Sequence, residues 1–443
     1  MKREICNQTE IPAGAERRNK WNLRRLAAIA ITATILGLQA ISGWAQTEAP
    51  IFSFTGKQKG EFPFTHVILG GPKMNQLFGT TANGGTKGYG RVYRLTPPGP
   101  GSTVWTSSTL YNFLGAAQGD GEGPGSLVAD QNGVLYGVTS PNEVCCGVIF
   151  SLTPPAKGSS VWTEAIIYRF EGGSDGSGNQ AGLAVDAAGN LYGVTEAGGS
   201  GFGTVYKLSR PAPGTTTWTK QQLYAFQGGV DGQGPQGDLL IDATTGSVIG
   251  TTFGGGSWGL GIVYALTPAH PGLQWPKTDI HGFQGDGSDQ GDGANPNGHL
   301  AGSLGRLFGT TQSGGVATSC CGVVFELEQE IQGNPVYTLK ILEAFPSGID
   351  GAQPEDGITL DASGNLWGTT QAGGSANSGT IFRISPRRQF LDQWTFAVMH
   401  SFGGIGDGIA PMSAVAVDSA GNAYGTTLDG GTANMGTVYE FVP

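Results

Sequence analysis

The chain has 443 residues, 13% of them charged, with 78 glycines and a formal net charge of -10. That length supports a large core. Residues 1–45 hold seven Lys/Arg and three Glu, so the remainder carries 17 basic against 31 acidic groups, or -14. Such a balance repels polyanions, which excludes nucleic acid as a partner.

In chain order, Arg17, Arg18, Lys20, Arg24 and Arg25 precede an uncharged stretch from Leu26 to Ile41, and small residues then flank Trp44. This pattern predicts a signal peptide over 1–45, with Gln46 as the new N-terminus. The expectation is a secreted chain, periplasmic or extracellular, with no membrane insertion after cleavage. The stretch is short for a span, which needs about 20 apolar residues.

From there one unit repeats. A motif of the form Leu-Tyr-Gly-Thr-Thr recurs seven times, on Gly79, Gly137, Gly193, Gly250, Gly309, Gly368 and Gly425, at spacings of 56 to 59 residues. A fixed period of this size means one supersecondary unit in tandem. The copy 182–226 reads as four short strands: Leu183–Asp186, Leu191–Thr195, Thr204–Leu208 and Trp218–Phe226. All are β-branched and aromatic runs bounded by turn residues. Four antiparallel strands cannot bury both faces alone, so copies must stack. The prediction is an all-β fold, a seven-bladed β-propeller of four-stranded antiparallel blades spanning 46–443. The last copy lacks a fourth strand, and Ile51–Phe54 supplies the missing signature, so the N-terminal strand is expected to close the ring.

The combination of Leu-Tyr-Gly-Thr-Thr, Gly-Gly, Gly-Thr-Val-Tyr and Asp-Gly-x-x-Pro at this period resembles the GloVer tandem repeat, best at 190–208, 365–384 and 422–441. The resemblance implies an exported bacterial protein of the choice-of-anchor kind. It brings no catalytic residues. The chain departs from the pattern at Val442-Pro443, where no hydrophobic tail or sorting motif follows.

Two loop families are placed on one rim. One joins the second and third strands, as at Ala197-Gly198-Gly199. The other joins blades and carries Asp-Gly, giving Asp120, Asp175, Asp231, Asp286, Asp350 and Asp407 as candidate ligand-binding residues. Against this, each Asp also suits capping its own turn while Gly takes a positive φ. Asp286, Asp289 and Asp292 stand three apart in one longer loop and are the candidate metal ligands, for Ca²⁺. No other cofactor is expected.

Cys145-Cys146 and Cys320-Cys321 are two vicinal pairs in non-adjacent copies. In an oxidising compartment they predict two vicinal disulfides, either as ligand platforms or as loop staples. His281 and His400 occupy the repeat position of Tyr111, Tyr168 and Tyr224, and His66, His270 and His299 share no ligand spacing. No hydrolase, zincin or phosphate-loop motif appears, so no catalytic residue is assigned. Trp105, Trp162, Trp218, Trp275 and Trp394 recur at the fourth strand as packing residues.

The functional expectation is a non-catalytic binding or scaffold propeller, monomeric, that recognises a polysaccharide or a surface protein. The alternatives are a carbohydrate-active enzyme with acidic groups converging on the central channel, and a structural matrix protein.

Overall fold

The computed structural model describes residues 47–443 apart from 72–73, 141–145, 179–180, 271, 286–290, 316–320, 332–335, 388–389 and 405. Seven four-stranded antiparallel sheets follow one another as blades of a propeller ring. Each begins with its inner strand, from two residues in blade three to nine in blade four. In blade three the order is Ala184–Val185, Leu191–Thr195, Thr204–Ser209 and Thr219–Ala225. Among the described residues there is no α-helix, and five 3-10 turns occur.

The second strand is buried along its whole length because both of its faces meet neighbouring blades. All five residues of Leu191–Thr195 are buried. Each residue of the Leu-Tyr-Gly-Thr-Thr motif has its own task. In blade three Leu191 enters the core between blades two and three. The central glycine lies under the aromatic ring of the third strand. A Cβ on any of the seven glycines would stand 2.2–2.7 Å from the hydroxyl oxygen or a ring carbon of Tyr93, Phe150, Tyr206, Tyr264, Phe325, Phe382 or Tyr439. The first Thr reaches the inner strand of the next blade in several copies: Thr80 Oγ1 donates to the Gly125 carbonyl, Thr369 to Ser413 and Thr426 to Thr65. The second Thr donates to the carbonyl two residues on, as Thr81 does to Asn83 and Thr427 to Asp429.

Blades are joined by a ring of edge-to-face or tilted aromatic contacts. Phe54, Phe113, Phe170, Phe226, Phe283, Phe345 and Phe402 end the fourth strands. Each meets the third-strand ring of the next blade at centroid distances of 5.1–5.4 Å. Such pairs add about 0.5–1.5 kcal/mol beyond the area they bury. The tryptophans pack on the outer side of the same seams: Trp162 on Phe78, Trp218 on Tyr136 and Trp394 on Phe308.

The ring closes through the N-terminal strand Thr47–Ser53, which pairs antiparallel with Thr437–Val442 from Thr47↔Val442 to Ser53↔Thr437. Seven blades thereby have no open seam, and Phe54 completes the aromatic ring against Tyr93.

Four blades carry Tyr rather than Phe on the third strand. The hydroxyls of Tyr93, Tyr264 and Tyr439 are buried with no hydrogen-bond partner. Burial holds the Tyr264 phenol protonated far above its usual range. An unmet buried hydroxyl is destabilising. Tyr264→Phe, which copies Phe325 and Phe382, is therefore expected to raise unfolding stability by about 1 kcal/mol in denaturant melts.

Candidate functional site

The two loop families do share a rim. In blade three the Gly199 amide donates to the Gly173 carbonyl, and in blade six Gly374 donates to Gly348. The carboxylates of Asp120, Asp175, Asp231 and Asp407, however, are engaged within the protein. Asp120 accepts from the Tyr111 hydroxyl at 2.8 Å and from the Leu114 amide. Asp175 accepts from Tyr168 and Glu171, and Asp231 from Tyr224 and Gln227. Asp407 accepts from His400 and from the amides of Gly403 and Gly408. Each of these Asp residues ties the fourth strand of one blade to the loop that starts the next. They are spread around the rim, one to a seam, and do not converge.

In the longer fourth loop the pair that takes this place is Asp292-Gly293. Asp292 accepts from His281 Nε2 at 3.0 Å and from the Gln284 and Gly285 amides. Asp286 and Asp289 lie outside the described residues, as do Cys145 and Cys320, the 1–45 signal peptide and the proposed cleavage point. Cys146 and Cys321 are described, and Cys321 is buried in the core between blades five and six.

A third residue reaches each seam from the next blade's fourth strand, four positions before the Tyr, and its charge varies. Lys220 Nζ is 2.6 Å from Asp175 Oδ1, and Lys277 Nζ is 3.0 Å from Asp231 Oδ1. Against the upward push of burial, the Lys220 and Tyr168 bonds hold Asp175 below its ordinary range. Between blades one and two the third residue is Glu164, and the seam is acidic. Burial first, then Asp120, pushes Glu164 up to about 7, with Arg169 opposing. Glu343, in the Tyr position beside Asp350, is pushed up to about 7 for the same reasons.

A carboxyl raised in the fold binds its proton more tightly when native. Its stability contribution is full below its unfolded value, 4.5, and is lost as pH rises through about 7. Glu164→Gln removes that loss. The variant is expected to gain about 1 kcal/mol over the parent between pH 5 and pH 8, after screening at this half-exposed position. Urea melts at the two pH values measure it.

The convergence is in the central channel. The inner strands of blades one, four, five and six bring His66, Asp238, His299 and Asp356 together. His299 Nδ1 lies 3.2 Å from Asp356 Oδ1, His66 Nε2 lies 4.0 Å from Asp238 Oδ2, and the two imidazole centroids are 6.3 Å apart. The four side chains keep 16–24% of their surface open to the channel. Backbone amides anchor the carboxylates: Gly182 donates to Asp238, while Gly357 and Ala414 donate to Asp356.

Burial raises Asp238, with Asp356 reinforcing it and the two imidazoles partly offsetting it. Asp356 goes the other way. Against burial, the hydrogen bond and charge of His299 hold it far below the usual carboxylate range. Burial pushes His299 down, but the hydrogen bond and charge of Asp356, with the charge of Asp238, together raise it. Two neighbouring carboxyls are thus driven apart in acidity, an arrangement able to hold one proton beside one fixed negative charge.

On one side of this cluster lies a polar mouth of about 230 Å³, lined among others by Thr65, Ser126, Glu196, Gln236, Asn297 and Glu355. Burial raises Glu196. Gln312 Nε2 holds both oxygens of Glu355 at 2.8 Å, and Asn297 holds one at 3.2 Å. On the other side lies an apolar cavity of about 420 Å³ walled by Leu69, Leu183, Leu239, Leu300 and Val415. The mouth opens on the loop-rich rim, since its lining residues follow the Asp-Gly loops directly in the chain. Sequence spacing misses this cluster because His66 and His299 are four blades apart in sequence order. The available signal is that His66, Asp238 and His299 stand one position, and Asp356 two positions, before the buried repeat residues Val67, Leu239, Leu300 and Ile358.

A seven-bladed propeller with an acidic channel mouth is the class that fold and site define. The chain belongs to the Gloeobacter/Verrucomicrobia repeat family, whose model matches residues 42–240 and 213–439. No curated protein matches it. Among solved structures it is similar to an ancestral GH74 enzyme at 13% identity, over 89% of this chain and 51% of that one, with a TM-score of 0.53. The chain therefore spans about half the length of that enzyme. It is also similar to a putative glucose dehydrogenase from Thermus thermophilus, at 13% identity, 90% and 100% coverage and a TM-score of 0.39. The phage phi92 endosialidase shows 12% identity, 89% and 68% coverage and a TM-score of 0.45. At these identities the likeness is one of fold alone, to neighbours that are enzymes.

Proposed function

We propose that this chain is an exported recognition module that holds a saccharide unit at the acidic mouth of its central channel. One observation carries the reading. Carboxylates, carboxamides and hydroxyls from separate blades gather around one polar opening, while Asp120, Asp175 and Asp231 of the rim are bonded to their own blade-joining strands and loops. Oxygen and amide groups of this kind suit hydroxyl-rich ligands, and a mouth of about 230 Å³ suits a ring-sized group rather than a long chain. Export rests on the basic and apolar N-terminal pattern. Sequencing the secreted protein's N-terminus tests it, with Gln46 as the expected first residue. Two vicinal disulfides belong to the same reading, supported by the pairing of Cys145 with Cys146 and Cys320 with Cys321 in a chain read as exported. The non-reduced mature chain should then weigh about four mass units less than its reduced form.

A second reading, carbohydrate-active catalysis, is favoured by the divided acidities of Asp238 and Asp356. Retention on a panel of insoluble and soluble polysaccharides, with the supernatant assayed for released sugars, separates the two. Retention without release, weakened in Asp238→Asn, supports recognition. Release abolished by Asp238→Asn makes the protein an enzyme. Absence of both retention and release overturns the saccharide reading.

A further inference from the structure

We propose that the seam between blades six and seven is a binding site for a zinc-class divalent cation, formed by Glu48, His400 and Asp407, that clips the ring-closing strand in place. The site is independent of the channel. His400 Nε2 stands 3.1 Å from Asp407 Oδ2 and 3.4 Å from Glu48 Oε2. One donor atom from each residue lies within 4.8 Å of the others. Donors 2.0–2.1 Å from a tetrahedral zinc ion stand about 3.3 Å apart, so the two imidazole–carboxylate separations are edges of the required size.

A separate observation points to a missing partner. The Glu48 side chain is only 4% exposed, yet its Oε1 has no hydrogen-bond partner. A buried carboxylate oxygen without a donor, facing a second carboxylate, is costly unless a proton or a cation joins them. The Asp407 carboxylate is also oriented from outside. The Gly408 amide holds Oδ1, and the Gly403 and Gly404 amides approach Oδ2, as outer-shell donors fix a ligating carboxylate.

The other seams make the arrangement specific. In register with Glu48 stand Ser107, Glu164, Lys220, Lys277, Leu339 and Phe396. Where Asp faces Tyr, the third residue is Glu164, Lys220 or Lys277, and no imidazole is present. Where His281 pairs with Asp292, the third residue is Leu339. Only the sixth seam, among the described residues, joins one imidazole to two carboxylates. An imidazole with two carboxylates and an open fourth position suits zinc better than calcium, which takes six to eight oxygens. Glu48 is on the strand that closes the ring, so a bound ion would tie that strand to blade six and to the Asp407 loop.

The test uses untagged, chelator-stripped protein given Zn²⁺, with bound metal measured after gel filtration and the melting midpoint recorded. One zinc per chain is expected, with a midpoint raised by several degrees and restored by chelator. Glu48→Gln and His400→Tyr should each weaken zinc binding by about 100-fold or more and abolish the shift. His400→Tyr recreates the Tyr–Asp pair of the first three seams, so its fold is retained and its loss of zinc is interpretable. Failure of the parent to retain zinc, equal retention by both variants, or retention of calcium in place of zinc would each overturn the proposal.

Discussion

Gly193→Ala is expected to destabilise the protein by about 3 kcal/mol, the upper range for overpacking a close-fitting core. The added Cβ would stand 2.4 Å from Tyr206 Oη, 2.7 Å from its Cζ and 3.0 Å from Leu183 Cδ2. None of these atoms has room to retreat. Tyr206 is buried against Phe170 of the preceding blade, and Leu183 is buried in the same seam. The strain therefore passes between blades instead of relaxing at the surface. Gly99→Ala is the matched control, because a Cβ there meets nothing within 4 Å. Equal stability of the two variants in chemical denaturation would show that close approach of ring and backbone is not why the motif carries glycine.

Phe54→Ala is the second large effect, at about 3–5 kcal/mol, the usual cost of removing a buried Phe side chain. Phe54 is completely buried and meets Phe52 at 5.1 Å and Tyr93 at 5.2 Å. Phe226 occupies the same place between blades three and four, 5.1 Å from Tyr264. In a closed ring the two positions are equivalent, although one follows a terminal strand and the other a central one. Phe54→Ala and Phe226→Ala should therefore fall within about 1 kcal/mol of each other. A much milder Phe54→Ala would mean that the closing strand frays and that the seventh seam contributes little to cooperativity.

The repeat was legible in the residues themselves. The seven glycines, the missing seventh fourth-strand and its replacement near Phe54 follow from a period that one supersecondary unit imposes on composition. The Asx-turns of Asp186, Asp361 and Asp418 are local in the same sense, because a side chain that bonds its own backbone needs only neighbouring residues. Asp186 accepts from the Ala188 and Asn190 amides, and Asp361 and Asp418 do the same. The six Asp-Gly loops show both sides of this. Their recurrence was visible, but whether those carboxylates faced outward or inward depended on the fourth-strand Tyr111, Tyr168 and Tyr224, seven to nine residues earlier, turning to meet them.

By itself, then, the sequence determined the blade count, the turn chemistry and the glycine positions, since each depends on contacts within one period. Only the tertiary structure decided the channel cluster and the Glu48–His400–Asp407 seam. His66 and Asp238 are 172 positions apart and Glu48 and His400 are 352 apart, counting along the chain. They meet because the N-terminal strand is built into the last blade, beside blade six, and because the ring points every inner strand at one axis. No residue spacing along the chain encodes that, because a circle of seven units places distant copies as near as consecutive ones.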